Sequence, residues 1–203
     1  MKFETIESDL IQEALNGRFD VITHGCNTFN TMSAGIAVQM VKYFRTDLYP
    51  LEQTLTDTGK DTGLKGNINK LGQIEYEDFF VGYDKGLRDQ TPRALNYKRY
   101  SYPSRKEGGL KDDWVMIKDQ LFVVNAYTQY RYGKNHPDGV YAPLDYEALT
   151  LCMRKINHTF KGQHVGLPYL IGCGLAGGKE EKVLQILKRE LKDCDVTLVK
   201  LKK

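Results

Sequence analysis

Apolar residues recur along the first part of this chain in short blocks, and their spacing predicts strands and helices. Weak alternation from Lys2 to Ile6 predicts an opening strand, and the apolar-periodic stretch that follows Asp9 predicts a short helix. The β-branched run from Phe19 to Thr23 predicts a central strand that is covered on both faces and ends at His24. After a loop of small and polar residues, near-helical spacing from Gly35 onward predicts a second helix.

The middle of the chain, from about residue 59 to about residue 113, has a less regular pattern. Glycines, tyrosines and charged residues surround one convincing strand pattern at 71–82, so we expect this segment to be an elaboration of the fold. The apolar runs at 114–117 and 121–127 flank three polar residues at 118–120. They predict two strands joined by a tight turn.

The last third of the chain alternates helices and strands in a regular order. The predicted elements are a helix from Pro143 onward, a strand at 164–170, a glycine-rich turn at 172–178, an amphipathic helix at 179–191 and a strand at 195–201. This alternation predicts an α/β fold, a three-layer α/β/α sandwich with a mixed, mainly parallel sheet that binds ligands at the C-terminal ends of its strands. We expect residues 1–203 to form a single domain of this kind.

Composition and charge exclude several classes of protein. The longest apolar runs fall far short of the roughly 20 residues that a membrane span requires, and the N-terminus carries charges where a signal peptide is apolar. We therefore expect a cytoplasmic protein, a monomer, with no membrane partner. The four cysteines lack CxxC spacing and the four histidines show no paired ligand spacing, so we predict reduced thiols, no metal site and no cofactor. A net charge of +3 is too small to imply nucleic acid by itself.

Two segments, at 20–40 and 166–187, share the order strand, small-residue loop, helix. Glycines allow the backbone to approach an anion closely, and the unpaired N–H groups and dipole at a helix start attract it. The second loop, GCGLAGG at 172–178, holds four glycines in seven residues. Both loops suit phosphate, and the alternative is that they merely connect elements. Because glycine in a merely connecting turn costs backbone entropy without return, we interpret GCGLAGG as a binding loop.

The order and spacing of these motifs resemble the macrodomain family, which binds ADP-ribose. Ser8-Asp9-Leu10 resembles the family's early Gly-Asp-Ile, and HGCN at 24–27 resembles HSCN in the branch of small ADP-ribose 1″-phosphate phosphatases. Residues 33–37 correspond to the diphosphate loop and 172–178 to the loop around phosphate and distal ribose. The stretch VVNAYTQYRYG at 123–133 is similar to microbial and phage members of this branch.

The resemblance implies a ligand site for ADP-ribose or a derivative, and hydrolysis of that derivative, most specifically as an ADP-ribose 1″-phosphate phosphatase. Asp9 would accept the adenine amino group, and Asn27 would contact the distal ribose. The predicted ligand-binding residues are Asp9, Leu10, Asn27, Ser33, Ala34, Gly35, Ile36, Ala37, Gly172, Cys173, Gly174, Leu175, Ala176 and Gly177. For Asn27 the alternative is a residue that only caps its own turn.

Three residues are candidates for catalysis. An imidazole ordinarily titrates near neutrality, so His24 could move a proton to a leaving oxygen, as the resemblance to HSCN implies. Asp145 lies near a predicted helix start, where capping is an alternative role, and Asp138 lies in the polar loop GKNHPDG. Cys173 suggests a rival thiolate mechanism, but Lys179 stands where the thiolate phosphatase loop has arginine, and Glu180 breaks a Walker A pattern.

Departures from the family pattern keep other functions open. Many relatives carry Asp-Trp where this chain has Lys179-Glu180, and hydrolases that release ADP-ribose from carboxylates carry aspartate where it has Ala176. One alternative is therefore a non-catalytic ADP-ribose-binding module, or a protein that sequesters a nucleotide signal. Another is a hydrolase that removes ADP-ribose from proteins or nucleic acids, with the basic and aromatic residues of 83–111 as the contact. Solvated loop residues explain that patch equally well, so nucleic acid is not the favoured partner.

Overall fold

A computed structural model of the protein describes residues 1–51, 65–96, 114–133 and 143–202. Its strands are β1 Phe3–Glu7, β2 Val21–Asn27, β3 Ile74–Asp84, β4 Arg93–Asn96, β5 Trp114–Gln129, β6 His164–Pro168 and β7 Asp195–Lys200. Its α-helices are α1 Leu10–Leu15, α2 Ile36–Phe44, α3 Tyr146–Thr159 and α4 Glu180–Glu190, and two 3-10 turns cover Thr46–Leu51 and Ile68–Lys70. No helix in these ranges is both long enough and apolar enough to cross a bilayer.

The strands form one mixed sheet in the order β1-β7-β6-β2-β5-β3-β4. The pairs β1–β7, β7–β6, β6–β2 and β2–β5 are parallel, whereas β5–β3 and β3–β4 are antiparallel. Helical crossovers join the parallel strands, as parallel pairing requires. The predicted mixed, mainly parallel sheet is confirmed.

Helices cover both faces of the sheet. Side chains of α1 and α2, such as Leu10 and Phe44, pack on one face with Ile22, while side chains of α3 and α4 pack on the other face with Val21. Val21 and Ile22 point to opposite faces because successive strand residues alternate. Both side chains are apolar because helices cover both faces of the sheet. The three-layer α/β/α sandwich is confirmed.

The predicted pair of strands around residues 118–120 is wrong, because β5 runs unbroken from Trp114 to Gln129. Antiparallel pairing with β3 extends from Asp84↔Trp114 to Ile74↔Ala126, with register shifts opposite the polar residues, between Met116 and Leu121. Its polar residues lie where β5 extends beyond β2, and there Lys118 Nζ binds Asp20 Oδ1 at 2.7 Å. The local pattern of residues 118–120 suggests a turn, but pairing with β3 and the salt bridge to Asp20 keep these residues extended.

Two boundaries also differ from the prediction. The strand expected to end at His24 continues to Asn27, because β2 pairs with β5 as far as Asn27↔Gln129. The helix expected from Pro143 begins at Tyr146. The expected elaboration at 59–113 stays a prediction, because residues 59–64 and 97–113 lie outside the described residues; its described part contains β3 and β4, which belong to the main sheet.

Candidate functional site

The two glycine-rich loops leave neighbouring parallel strands. Since β2 and β6 pair in parallel, with Val21↔Val165 and Ile22↔Gly166 in register, both loops emerge at the same edge of the sheet. They line one cleft of about 450 Å³. Its lining residues include Asn27, Ser33, Ala34, Gly35, Ile36, Ala37, Gly172, Gly174, Leu175 and Ala176. Cys173 and Gly177 belong to the second loop but are not among the lining residues.

Asn27 organises the first loop through its side chain. Its Oδ1 accepts hydrogen bonds from the backbone N–H groups of Phe29 and Thr31, each at 3.1 Å, and its Nδ2 donates to the carbonyl of Thr31 at 3.0 Å. Asn27 is buried. The turn-capping role is therefore shown, and a ribose contact would be an additional role for the same side chain.

The first loop ends at Gly35, which precedes α2 with φ +60° and ψ −145°, a conformation that glycine adopts and L side chains avoid. Gly35 offers no side chain to cap the helix. Ile36 and Ala37, the first residues of α2, line the cleft. The N-terminal end of a nine-residue helix therefore faces the cleft with its positive dipole end.

Backbone hydrogen bonds organise the second loop. The N–H of Cys173 donates to the carbonyl of Leu170, and the N–H of Gly178 donates to the carbonyl of Gly172, each at 2.9 Å. Gly172 has φ +73°, and a Cβ there would lie 2.7 Å from Cδ1 of Leu144. A Cβ at Gly174 would meet nothing within 4 Å, so the loop is open at that residue.

The cleft contains no charged side chain among the described residues that line it. Its walls are small, apolar or neutral polar groups. An anion in this cleft would therefore be held by backbone N–H groups and by the dipole of α2.

A second cavity of about 1000 Å³ adjoins the cleft and shares Gly35, Ile36, Pro168 and Leu170 with it. Asp9 and Leu10 line this cavity. Asp9 caps α1 through Oδ1, which accepts the N–H groups of Ile11 at 2.8 Å and Gln12 at 3.0 Å. Its Oδ2 has no hydrogen-bond partner among the described residues, so it is available to a ligand donor.

His24 lies inside β2, and its ring is fully buried on the face covered by α1 and α2. Its Nε2 bonds Asn125 Oδ1 at 2.9 Å, and Asn125 Nδ2 donates to the carbonyl of Thr46 at 2.9 Å. Burial lowers the pKa of His24 to about 4, although the bond to Asn125 opposes this shift. The ring does not line the cleft. Its predicted catalytic role stays a prediction that this geometry does not favour.

The other catalytic candidates fare differently. Asp145 caps α3, since its Oδ1 accepts the N–H groups of Glu147 and Ala148 at 2.9 Å. Asp138 lies outside the described residues. Burial raises the pKa of the half-buried Cys173 thiol, and Glu180 raises it further, so a thiolate nucleophile is disfavoured there. In the described ranges, no group of three or more His, Cys, Asp or Glu residues could hold a metal ion.

The sequence reasoning missed the wall that follows β5. Gln129, Tyr132 and Gly133 line the cleft, because β5 is the other neighbour of β2 and ends at the same edge. Tyr132 is 60% exposed, and its ring meets that of Phe29 edge to face, with centroids 6.2 Å apart. Predicting these lining residues requires the strand order, which local patterns do not reveal.

No protein-family model and no curated protein matches the sequence. Solved structures do match in fold. A Bacteroides thetaiotaomicron protein of unknown function has a TM-score of 0.57 at 19% identity, with 99% of each chain covered. The macrodomain of Thermus aquaticus DarG has a TM-score of 0.52 at 15% identity, covering 99% of this chain and 97% of that chain.

A third match is Thermosipho africanus DarTG, solved in complex with ADP-ribose, with a TM-score of 0.57 at 17% identity. The match covers 100% of this chain and 42% of that chain. At these identities the likeness concerns the fold. The mixed seven-stranded sheet with flanking helices is the macrodomain fold.

Proposed function

We propose that this chain binds ADP-ribose, or a derivative of it, across the cleft and the adjoining cavity. The observation that carries the proposal is the convergence of two glycine-rich loops, from neighbouring parallel strands, on one cleft that also receives the N-terminal end of α2. This arrangement suits a diphosphate, because backbone N–H groups and a helix dipole stabilise negative charge. The Thermosipho africanus structure with ADP-ribose supports the choice of ligand.

The adjoining cavity indicates the orientation of the ligand, that is, which end of ADP-ribose lies beside Asp9. Asp9 lines that cavity and not the cleft, its Oδ2 is an acceptor, and an adenine amino group is a donor. With the adenosine beside Asp9, the diphosphate lies between Gly35 and Gly174, and the distal ribose lies near Asn27. Gly35 and Ile36 line both spaces, so a single extended ligand can occupy them together.

Conservative substitutions of two capping aspartates test this direction. Asp9→Asn keeps a good helix cap but replaces the free acceptor with an amide donor. We expect the dissociation constant for ADP-ribose, measured by calorimetry, to rise at least about tenfold, and the melting temperature to stay unchanged. Asp145→Asn is the matched control, because Asp145 caps α3 in the same way and does not line either space. The absence of heat and of any thermal shift when ADP-ribose is added to the wild type would contradict the proposal.

Hydrolysis of an ADP-ribose derivative is the second candidate, and ADP-ribose 1″-phosphate phosphatase activity is its most specific form. It is favoured by the exposed residues Tyr132 and Gly133 at the distal wall, where a group attached to the 1″ carbon would reach water. Removal of ADP-ribose from a protein or nucleic acid needs the same opening. No carboxylate or histidine is among the described residues that line the cleft. Asp138, which lies outside the described residues, keeps its place from the sequence as the candidate for proton transfer.

Turnover assays separate binding from hydrolysis. Phosphate release from ADP-ribose 1″-phosphate is measured for the wild type, Asp138→Asn and His24→Gln. A phosphatase that uses Asp138 loses release in Asp138→Asn and keeps it in His24→Gln, since the His24 ring is buried outside the cleft. If ADP-ribose binds tightly and no product forms from free or attached derivatives, the protein is a non-catalytic binding module.

A further inference from the structure

Thr128 occupies an irregular position on β5, next to the lining residue Gln129 and behind the surface of the cleft. The pairing of β2 with β5 passes from Cys26↔Tyr127 to Asn27↔Gln129, so Thr128 is an extra residue on β5 opposite a single step of β2. Such a bulge redirects a side chain, and bulges recur beside binding and catalytic sites. The N–H of Asp145 donates to the carbonyl of Thr128 at 2.9 Å, which fixes the bulge in place.

The hydroxyl of Thr128 is buried and unpaired. The residue has an exposed fraction of 0%, and its Oγ1 has no hydrogen-bond partner among the described residues. Burying a hydroxyl without a partner is unfavourable, and natural proteins rarely retain such a group without a use for it.

Gly25 separates this hydroxyl from the cleft. Gly25 lines the cleft, and a Cβ built on it would lie 2.9 Å from Thr128 Oγ1 and 3.6 Å from Cγ1 of Ile171. Any other side chain at residue 25 would therefore fill the space between the hydroxyl and a bound ligand. Glycine leaves that space open, so a ligand in the cleft can reach the hydroxyl of Thr128 past Gly25.

We propose that Thr128 is a specificity-determining residue whose hydroxyl hydrogen-bonds the distal ribose of the ligand past Gly25. The inference rests on the proposed ADP-ribose binding and names the part of the ligand that is recognised. Gly25 lies two residues before Asn27 on β2, and both line the cleft but not the adjoining cavity that Asp9 lines. A ribose hydroxyl donates and accepts, which matches the capacity of a threonine hydroxyl.

The test compares Thr128→Val, which removes the hydroxyl at nearly constant shape, with Thr128→Ser, which keeps it. ADP-ribose and ADP are titrated into each variant, because ADP carries the diphosphate without the distal ribose. We expect Thr128→Val to bind ADP-ribose roughly three- to tenfold more weakly, the loss of one neutral hydrogen bond, and to bind ADP as the wild type does. Thr128→Ser is expected to retain both affinities, and Gly25→Ala to weaken ADP-ribose selectively.

Three results would overturn the inference. If wild type binds ADP-ribose and Thr128→Val binds it equally well, the hydroxyl does not contact the ligand. Equal losses for ADP-ribose and ADP would assign Thr128 to the diphosphate or to the structure of the wall, and a lowered melting temperature of unliganded Thr128→Val would favour the structural role. If the wild type binds no ADP-ribose at all, the proposed function fails first and this inference fails with it.

Discussion

The two loops of the cleft are held by different kinds of interaction. The first loop is fixed by the side-chain amide of Asn27 and leaves a strand whose buried face carries the bond between His24 and Asn125. The second loop is fixed by backbone hydrogen bonds and packs on apolar side chains, among them Leu144 and Ile171. The first loop therefore depends on the polar side chain of Asn27, and the strand before it carries a titratable histidine. The second loop depends on the absence of a side chain at Gly172 and Gly178, which Leu144 crowds.

The largest expected effect concerns His24, which lies in β2, the strand that leads into the first loop. The folded state keeps His24 neutral, with a pKa of about 4 against an ordinary 6.5, so its contribution is complete above pH 6.5 and is lost as the pH falls toward 4. We expect a loss of about 3 kcal/mol in the free energy of unfolding between pH 7 and pH 4 from this group. Urea unfolding of the wild type and His24→Gln at both values measures it. An identical pH dependence in the two proteins contradicts the prediction.

A smaller effect is expected from filling the second loop. A Cβ at Gly178 would collide with Cδ2 of Leu144 and lie 2.8 Å from the carbonyl oxygen of Gly172, which accepts the N–H of Gly178. Gly178→Ala should lower the free energy of unfolding by about 2 kcal/mol, the cost of overpacking. Because no titrating group is involved, the loss should be equal at pH 7 and pH 5. A loss confined to the lower pH would assign a polar support to this loop as well.

The smallest effect comes from a matched pair of glycines, one in each loop. A Cβ at Gly35 or at Gly174 meets nothing within 4 Å, but only Gly35 has a positive φ. Gly35→Ala should therefore cost about 1 kcal/mol of stability through backbone strain, and Gly174→Ala less than about 0.5 kcal/mol. Thermal unfolding of the two unliganded variants measures the difference. Equal melting temperatures would show that backbone strain does not distinguish the loops.

The sequence predicted features that depend on local pattern. Glycines at 35, 172 and 174 mark sharp turns or open backbone by their own chemistry, and the alternation of strands and helices predicted the layers correctly. The convergence of the loops required only that β2 and β6 be parallel neighbours. The glycines and the alternation are encoded within short windows, so a single sequence suffices for them, whereas the adjacency of β2 and β6 is set by pairing between distant segments.

Features that depend on pairing between distant segments were missed. The continuity of β5 comes from β3, the burial of the His24 ring from α2 and Asn125, and the bulge at Thr128 from its register with β2. Taken alone, HGCN at 24–27 resembles a segment that follows a strand. In the sheet, β2 continues through the whole motif to Asn27. A side chain's neighbours across a sheet have no signature in the local sequence.

The adjacency of β1 and β7 affects how the chain assembles. The hydrogen bond from the N–H of Lys2 to Asp195 Oδ1 joins groups 193 positions apart, and β7 is the partner of β1 in the described sheet. The first strand thus stays without its neighbour until the rest of the sheet has been synthesised and ordered. Contacts of such long range slow folding. A ligand that bridges both loops would act late, by trapping the completed sheet and not by nucleating it.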